Sequence, residues 1–263
     1  MKTLFFQDKK IFYRVSGKGK TIVLLHGFPE TSGIWKNFTQ HLSKDFRVIA
    51  IDLPGHGKSD CFGKVHTMEF MAGMVRDVLK QEKIRKCLLV GHSMGGYVAL
   101  AFAEKYPEML KGLGLFHSHP YADSQEERKN RDRTIDLVNR NRFAFITRFI
   151  PELFAEEVRQ KFGKQIRELA DEAGKMPKEG VVAALEGMKV RNDQRELLRT
   201  TSLPVLFIFG LKDPRTPPAR ICEMILLPAR SEVLLLRDVA HMGYLEAPGQ
   251  TLEMVRGFAR KVL

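Results

Sequence analysis

The feature that most constrains the fold is the pentapeptide Gly91-His92-Ser93-Met94-Gly95. It follows the apolar run 87–90 and precedes a helix-favouring stretch at 96–102. Glycine on both sides of the serine lets the backbone reverse sharply from a strand into a helix. In this setting, G-x-S-x-G raises a serine hydroxyl above the sheet, and the first N–H groups of the helix have no acceptor within it. We therefore predict that Ser93 is a nucleophile and that the Met94 amide faces an oxyanion beside it.

Short apolar runs recur on either side of this turn and alternate with helical patterns. Residues 3–6 and 11–15 flank the turn-like Gln7-Asp8-Lys9-Lys10 and predict an opening hairpin. The later runs are typical of strands covered on both faces and joined by helical crossovers. The sequence therefore predicts an α/β fold with an open, mostly parallel sheet, whose ligands bind beyond the carboxyl ends of the strands. The later predicted strands are 21–25, 46–51, 87–90, 110–116, 205–209 and 233–236.

The strand pattern is interrupted between residues 118 and 200. Residues 153–173 carry apolar side chains at three- and four-residue steps, which is the spacing of an amphipathic helix. Residues 134–150 and 180–190 also have helical patterns. This stretch is therefore predicted to be entirely helical.

We interpret the helical stretch 118–200 as a lid over the strand ends, inserted in an α/β core formed by residues 1–117 and 201–263. The alternative is that these helices merely flank the sheet. Aromatic side chains of the lid favour an acyl or aromatic substrate of modest size: Phe143, Phe145, Phe149, Phe154 and Phe162.

A serine hydroxyl needs a base to take its proton and a third group to orient that base. The ends of later strands offer both, because Asp213 lies just past strand 205–209 and His241 lies in the loop after strand 233–236. The chain order Ser93, Asp213, His241 is the one that this turn requires. We prefer Asp213 as the acid because it follows its strand directly. Two other carboxylates in nearby loops are alternatives: Asp123 and Asp238.

A second oxyanion donor is expected where an early strand ends in His26-Gly27-Phe28-Pro29. The amide of Phe28 is well placed for this role, since Pro29 has no N–H and Gly27 lets the backbone approach closely. His26 is predicted to hold this loop through hydrogen bonds, and lining of the pocket is the alternative.

His117 and His119 follow the strand 110–116 and are candidates for lining the pocket. Two histidines at this spacing raise the question of a metal. No cluster of aspartate, glutamate or cysteine accompanies them in the sequence, so no metal is expected.

Five segments match one known family in combination: His26-Gly27-Phe28-Pro29, Asp52-Leu53-Pro54-Gly55-His56-Gly57-Lys58-Ser59, Gly91-His92-Ser93-Met94-Gly95-Gly96, Gly210-Leu211-Lys212-Asp213 and the loop of His241. They resemble the α/β-hydrolase superfamily, and the resemblance covers nearly the whole chain. It implies the α/β-hydrolase fold and a triad of Ser93, His241 and Asp213. In that family the second segment is a structural loop, so Asp52 and His56 receive no catalytic role.

The residue at the centre of the turn Gly91–Gly95, hereafter the elbow, separates subfamilies of this fold. The loop 26–32 is similar to that of epoxide hydrolases and dehalogenases, but those enzymes carry aspartate where this chain has Ser93. A carboxylate forms an alkyl-enzyme ester, whereas a serine attacks a carbonyl and forms an acyl-enzyme. The resemblance is therefore closer to small serine esterases and carbon–carbon bond hydrolases.

The composition argues against several other classes. The formal charge of +12 invites a nucleic-acid interpretation, but residues 121–200 hold 17 basic and 15 acidic side chains, and the chain has no dense basic block. Neither nucleic acid nor a membrane is therefore expected as a partner. No apolar run approaches the ~20 residues that span a bilayer, and no signal peptide is expected. Three scattered cysteines indicate a reduced, cytosolic protein: Cys61, Cys87 and Cys222.

We predict an enzyme that hydrolyses a small ester or similar acyl substrate without a cofactor. One alternative keeps the triad but cleaves a carbon–carbon bond in a diketone-like substrate or eliminates a small acid. Another hypothesis, of a different class, is a ligand-sensing protein that retains the triad and signals through its lid.

Overall fold

Eight strands form one sheet in the computed structural model, which describes residues 1–6 and 8–263: β1 (Lys2–Phe6), β2 (Lys9–Ser16), β3 (Thr21–Leu25), β4 (Arg47–Ile51), β5 (Cys87–His92), β6 (Leu110–Phe116), β7 (Val205–Gly210) and β8 (Ser231–Leu236). Their order across the sheet is β1-β2-β4-β3-β5-β6-β7-β8. β2 pairs antiparallel with β1 and β4, and the remaining neighbours are parallel. The prediction of an open, mostly parallel sheet is confirmed.

Burial explains why the central strands are so apolar. Every residue of β3, β5 and β7 is buried, which requires elements on both faces of the sheet. The predicted strands agree with the observed ones to within two residues at each end. The predicted turn at 7–10 falls partly on Gln7, which lies outside the described residues, and Lys9 and Lys10 belong to β2.

The helices of the described residues are α1 (Lys36–Leu42), α2 (Met68–Gln81), α3 (Met94–Lys105), α4 (Gln125–Phe149), α5 (Gly163–Gly174), α6 (Lys178–Lys189), α7 (Arg195–Thr200), α8 (Pro218–Ile225), α9 (Gly243–Glu246) and α10 (Pro248–Val262). α3 packs on β5 and β6 and against α2, whereas α10 packs on β6, β7 and β8. In the part of the chain that the structure describes, no helix combines the length and hydropathy needed to cross a membrane.

Helices α4 to α7 lie between β6 and β7, within the segment 118–200. α4 packs against α6 and also contacts α5. α4 is bent at Asn141, whose φ of −154° and ψ of 87° are not helical. The Asn141 side chain accepts a hydrogen bond from the Ala144 amide at 3.0 Å, so it caps the second half of the helix.

The amphipathic helix predicted over residues 153–173 is wrong in its first half. Two 3-10 turns, Pro151–Leu153 and Glu156–Val158, occupy this stretch, and α5 begins only after them. The apolar side chains here pack as a cluster, in which the rings of Phe154 and Phe162 lie 5.6 Å apart. The spacing of apolar residues alone does not distinguish buried turns from a helix.

The turn between β5 and α3 positions Ser93. Its backbone has φ 50° and ψ −116°, a positive-φ conformation that residues other than glycine rarely adopt. A Cβ at Gly91 would lie 2.1 Å from the Gly95 carbonyl oxygen, and a Cβ at Gly95 would lie 2.6 Å from two carbonyl oxygens at the end of β3. The Ser93 amide donates to the Phe116 carbonyl of β6 at 2.9 Å. Close backbone packing and this hydrogen bond therefore hold the strained turn in place.

Gly95→Ala is expected to lower the free energy of unfolding by about 2 kcal/mol or more, because overpacking a tight interior typically costs about 1–3 kcal/mol. Gly257→Ala is the matched control, since an added Cβ at this position in α10 meets nothing within 4 Å. The control should be stabilised by about 0.4–1 kcal/mol. Urea denaturation measures both effects, and a Gly95→Ala variant as stable as the parent would contradict the close approach of α3 to β3.

Candidate active site

A cavity of about 230 Å³ opens beside Ser93, at the carboxyl end of β5. The sheet loops contribute Phe28, Ser93 and His241 to its walls. The segment between β6 and β7 contributes a larger share, including Leu153 and Arg191. The cavity therefore lies at the strand ends, where sheets of this kind bind ligands.

The structure brings Asp213 and His241 together beside Ser93. His241 Nδ1 lies 2.8 Å from Asp213 Oδ2, and both residues are buried. The Arg215 amide donates to the other carboxylate oxygen at 2.8 Å. Burial opposes ionisation of Asp213, but the His241 and His117 imidazoles outweigh it and hold the pKa of Asp213 well below its usual range. An ionised Asp213 accepts the Nδ1 proton of His241, which leaves Nε2 as the nitrogen that can act as a base.

A second imidazole, that of His117, contacts the same carboxylate. Its Nδ1 lies 3.2 Å from Asp213 Oδ2, and its backbone has φ 49° just after β6. Burial lowers the pKa of His117 to about 4, so this imidazole is neutral near pH 7. The structure therefore corrects the expectation of pocket lining, because His117 is turned toward Asp213 and away from the cavity wall.

Among the described residues, one set of three side chains could hold a metal ion: His117, Asp213 and His241, whose ligand atoms lie within 4.8 Å of one another. These atoms already have direct partners, because Asp213 Oδ2 lies within hydrogen-bond distance of both Nδ1 atoms. A metal would have to displace both hydrogen bonds. We therefore keep the prediction of a metal-free site.

The two alternative acids lie in different surroundings. Asp123 is buried between two arginines, with which it forms ion pairs. Asp238 is exposed and lies 3.4 Å from the ammonium of Lys212. The geometry therefore favours Asp213 as the acid.

The loop after β3 passes directly over the serine, since a Cβ at Gly27 would lie 3.1 Å from Ser93 Cβ. His26 Nδ1 lies 2.7 Å from the Gly27 carbonyl oxygen, and the Leu53 amide donates to His26 Nε2 at 2.9 Å. Because Nε2 accepts, the proton of this imidazole is on Nδ1. His26 thus holds the loop through both nitrogens and does not line the cavity, whereas the ring of Phe28 does.

A buried network lies beneath this loop, and no motif in the sequence indicates it. Glu30 accepts hydrogen bonds from the Gly27 amide at 2.7 Å, the Tyr244 hydroxyl at 2.8 Å and His92 Nδ1 at 2.9 Å. His92 Nε2 lies 2.9 Å from the carbonyl oxygen of His241. One carboxylate and one imidazole therefore connect the loop after β3, the elbow and the loop of His241.

The two hydrogen bonds of His92 require a cation. A carboxylate and a carbonyl oxygen both accept, so Nδ1 and Nε2 must both carry protons. Burial would lower the pKa of His92, but the charge and hydrogen bond of Glu30 outweigh burial and raise it. Burial would likewise raise the pKa of Glu30, but His92 and the other hydrogen-bond donors lower it to about 2. Glu30 and His92 are therefore an ion pair at neutral pH.

The loop of His241 has two further supports. The His241 amide donates to the Leu153 carbonyl at 2.9 Å. Glu246 accepts hydrogen bonds from the amide of Ala240 at 3.2 Å and from that of Met242 at 3.0 Å. Because Leu153 belongs to the segment between β6 and β7, the positions of that segment and of His241 are linked.

Charged and polar side chains form one side of the cavity wall. Arg131 and Arg191 line it together with Asp123, to which both are paired. His119 lines it as well, with Nε2 lying 3.0 Å from the hydroxyl of Tyr97. The wall is therefore more polar than the aromatic residues of this segment led us to expect.

The five phenylalanines of the expected lid do not act as one apolar face. Phe145 and Phe149 line the cavity, with ring centroids 5.0 Å apart. Phe143 is 64% exposed, and Phe154 packs against Phe162 away from the cavity. The bend in α4 and the turns after it change which side chains point toward the serine.

Comparison with known proteins agrees with this architecture. The pimeloyl-[acyl-carrier protein] methyl ester esterase of Aeromonas salmonicida is 29% identical over 251 residues, covering 92% of this chain and 96% of that protein. A thermophilic esterase from Thermogutta terrifontis, with malate bound, is 34% identical with a TM-score of 0.92, covering 97% of this chain and 94% of that chain.

More distant structures share the fold alone. The enol-lactonase of Burkholderia xenovorans LB400 has a TM-score of 0.90 at 23% identity, covering 98% of this chain and 99% of that chain.

A family described as the alpha/beta hydrolase fold matches residues 20–248 of this chain. The chain therefore belongs to the α/β-hydrolase family.

Proposed function

We propose that this protein hydrolyses carboxylic esters through an acyl-enzyme on Ser93. The observation that carries the proposal is the position of Ser93 at a strained turn, in the same cavity wall as His241, whose Nδ1 lies 2.8 Å from Asp213. A hydroxyl, a base and an orienting carboxylate are the groups that acyl transfer by serine requires. The names of the similar proteins, which include esterases, support the same class of reaction.

In the first half-reaction, His241 Nε2 takes the hydroxyl proton while Ser93 Oγ bonds to the ester carbonyl carbon. The amides of Phe28 and Met94 donate hydrogen bonds to the oxyanion. Collapse of this intermediate breaks the bond to the alcohol oxygen, which leaves with the proton from His241. Water then attacks the acyl-enzyme in the same way, so that the carboxylic acid is released and the Ser93 hydroxyl is restored.

The ion pair of Glu30 and His92 acts as a positioning element in this mechanism. Glu30 holds the Gly27 amide and so sets the path of the backbone into Phe28. His92 holds the carbonyl of His241. The pair thus fixes one oxyanion donor and the base relative to the elbow.

We also propose that residues 118–200 act as a lid that shapes specificity over a core of 1–117 and 201–263. This segment supplies a larger share of the cavity wall than the core does. The Leu153 carbonyl accepts from the His241 amide, so changes in the lid would affect both substrate contacts and the base.

The two alternatives from the sequence use the same residues in different ways. A carbon–carbon bond hydrolase would turn over a diketone-like ring-cleavage product faster than simple p-nitrophenyl esters. A ligand sensor would show slow single-turnover hydrolysis and a large ligand-dependent shift in melting temperature. Repeated turnover of p-nitrophenyl esters would exclude the sensor, and turnover of these esters faster than of the ring-cleavage product would favour the esterase proposal over the carbon–carbon bond hydrolase.

Ser93→Ala is expected to reduce kcat/KM for p-nitrophenyl esters by on the order of 10⁴-fold or more, since no other group can form the acyl-enzyme. This variant should also lose covalent labelling by a fluorophosphonate. Ser231→Ala, at an exposed position in β8, is the matched control and should retain both. Full activity of the Ser93→Ala variant would contradict the proposal that Ser93 is the nucleophile.

Asp213→Asn is expected to lower kcat by roughly 10³–10⁴-fold, because the amide favours the wrong tautomer of His241. Asp238→Asn, at the exposed alternative, should change kcat less than about threefold, because it removes only a surface ion pair with Lys212 and such pairs contribute little. Asp123→Asn should lie between them. Steady-state kinetics on one ester ranks the three variants. A larger loss of kcat in Asp123→Asn or Asp238→Asn than in Asp213→Asn would assign the role of the acid to that residue instead.

Glu30→Gln is expected to lower the free energy of unfolding by about 3–5 kcal/mol, because it leaves the buried imidazolium without its counter-charge. It should also lower kcat at least tenfold through the loop that carries Phe28. Tyr244→Phe removes one hydrogen bond and should cost about 1 kcal/mol. Glu172→Gln, at an exposed position in α5, is the control. Urea denaturation at pH 7 that gives the same stability for Glu30→Gln and this control would contradict the buried pair.

The stabilisation by this pair depends on pH in a defined direction. The pKa of Glu30 is lowered, so its contribution is present above the ordinary value of 4.5 and is lost as the pH falls through about 2. The pKa of His92 is raised, so its contribution is present below 6.5 and is lost as the pH rises through the raised value. The difference in free energy of unfolding between the parent and Glu30→Gln should therefore become smaller at alkaline pH. Urea denaturation across a pH series measures this difference.

A further inference from the structure

Arg215 carries a positive charge at the rim of the cavity. It lies two residues after Asp213 and lines the cavity with Ser93 and His241, while its outer side is exposed. Its guanidinium carbon lies 4.9 Å from the ring centroid of Phe149 in the same wall. Among the residues that the structure describes, no carboxylate oxygen lies within 4.0 Å of the guanidinium nitrogens. This cation therefore faces the cavity without an ion-pair partner.

Deeper in the wall, two arginines share one carboxylate. Arg131 and Arg191 both pair with Asp123, and the Arg191 side chain is only 4% exposed. His119 beside them is neutral near pH 7, since burial lowers its pKa to about 3. Its Nδ1 has no hydrogen-bond partner within the described part of the chain. The cluster thus has one unbalanced positive charge, and an unbalanced charge is costly to bury.

Other acidic groups near these arginines are already paired. Glu127 lines the cavity, but its carboxylate lies 3.2 Å from Arg220. Asp213 and Glu152 are close enough to influence Arg215. Asp213 already accepts hydrogen bonds from His241 and His117, and Glu152 pairs with Arg148 at 3.2 Å. When the charge of Asp213 is counted against that of Arg215, the unbalanced charge of the Arg131–Asp123–Arg191 cluster still gives the cavity an excess of positive charge.

We propose that the ester substrate carries a carboxylate. This carboxylate binds Arg215 and is attracted by the excess positive charge of the Arg131–Asp123–Arg191 cluster, while Ser93 attacks the ester carbonyl. This inference rests on the proposed function. Arginine suits the role because its planar fork binds a carboxylate through two parallel hydrogen bonds. The cavity of about 230 Å³ is smaller than the ~300–1,000 Å³ typical of ligand pockets. The substrate class is therefore a small half-ester of a dicarboxylic acid, or a compound of similar shape and charge.

The test compares esters that differ only in charge. Monomethyl succinate, glutarate and adipate are assayed beside analogues in which a carboxamide replaces the free carboxylate. The wild-type protein should show kcat/KM at least about tenfold higher for one or more half-esters than for the matched amides, because charge-assisted hydrogen bonds are the stronger kind. Added salt should reduce this preference, since the rim is exposed to solvent.

Two variants locate the preference. Arg215→Met retains an unbranched apolar stem but removes the guanidinium and its charge, and it should reduce the preference for the carboxylate at least about fivefold, an order-of-magnitude expectation for one charged partner. Arg237→Met removes the same charge at an exposed position after β8 that is outside the cavity wall. This control should retain the wild-type preference. An unchanged preference in Arg215→Met would overturn the role of Arg215.

The outcomes separate this inference from the function on which it rests. Equal kcat/KM for every acid and amide pair would overturn the carboxylate inference and leave ester hydrolysis in place. Absence of turnover for all esters, together with absence of fluorophosphonate labelling at Ser93, would overturn both. If Arg215→Met does not fold, the inference is tested with wild-type protein, by measuring how strongly glutarate and glutaramide inhibit the hydrolysis of methyl butyrate. Glutarate should inhibit competitively and glutaramide should not, whereas equal inhibition by the two would overturn the inference.

Discussion

The candidate site depends on one buried ion pair, between Glu30 and His92. Burial of two charges costs several kcal/mol per ion, and their attraction repays this only when geometry and further hydrogen bonds are good. Here the remaining acceptor of Glu30 binds Tyr244, and the remaining proton of His92 binds the His241 carbonyl. We interpret the pair mainly as a positioning element, because it fixes three loops that no single strand or helix connects.

The pair can connect these loops because the sheet brings them to one edge. β3 and β5 are parallel neighbours, so the loop over the serine and the elbow begin side by side. At Gly95, α3 approaches the end of β3 so closely that no Cβ would fit between them. The strained backbone of Ser93 is held between this helix and the Phe116 carbonyl of β6. The proposed nucleophile is therefore fixed by strand order and backbone packing, and the proposed base by the loops that the ion pair joins.

The sequence was sufficient to predict those parts of the molecule that have a local signature. Buried parallel strands appear as continuous apolar runs, and the elbow has a fixed spacing around Ser93. The contacts of Glu30 could not be predicted, because its partner Tyr244 is 214 residues away and neither residue belongs to a local pattern. The cavity wall could not be predicted either. Phe143 is exposed and Phe145 lines the cavity, because residues two apart on a helix do not share a face. The bend in α4 at Asn141 changes the direction of the half of the helix that carries both rings.

Detection of an acyl group on Ser93 during turnover is the most direct test of this mechanism. Wild-type protein mixed rapidly with p-nitrophenyl acetate and quenched in acid should contain one acetyl group on the peptide that includes Ser93. The group should form in step with an initial burst of p-nitrophenol and should disappear as water completes the turnover. Steady hydrolysis with no acyl group on that peptide at any time, or with the acetyl group on a different residue that turns over, would contradict a serine mechanism.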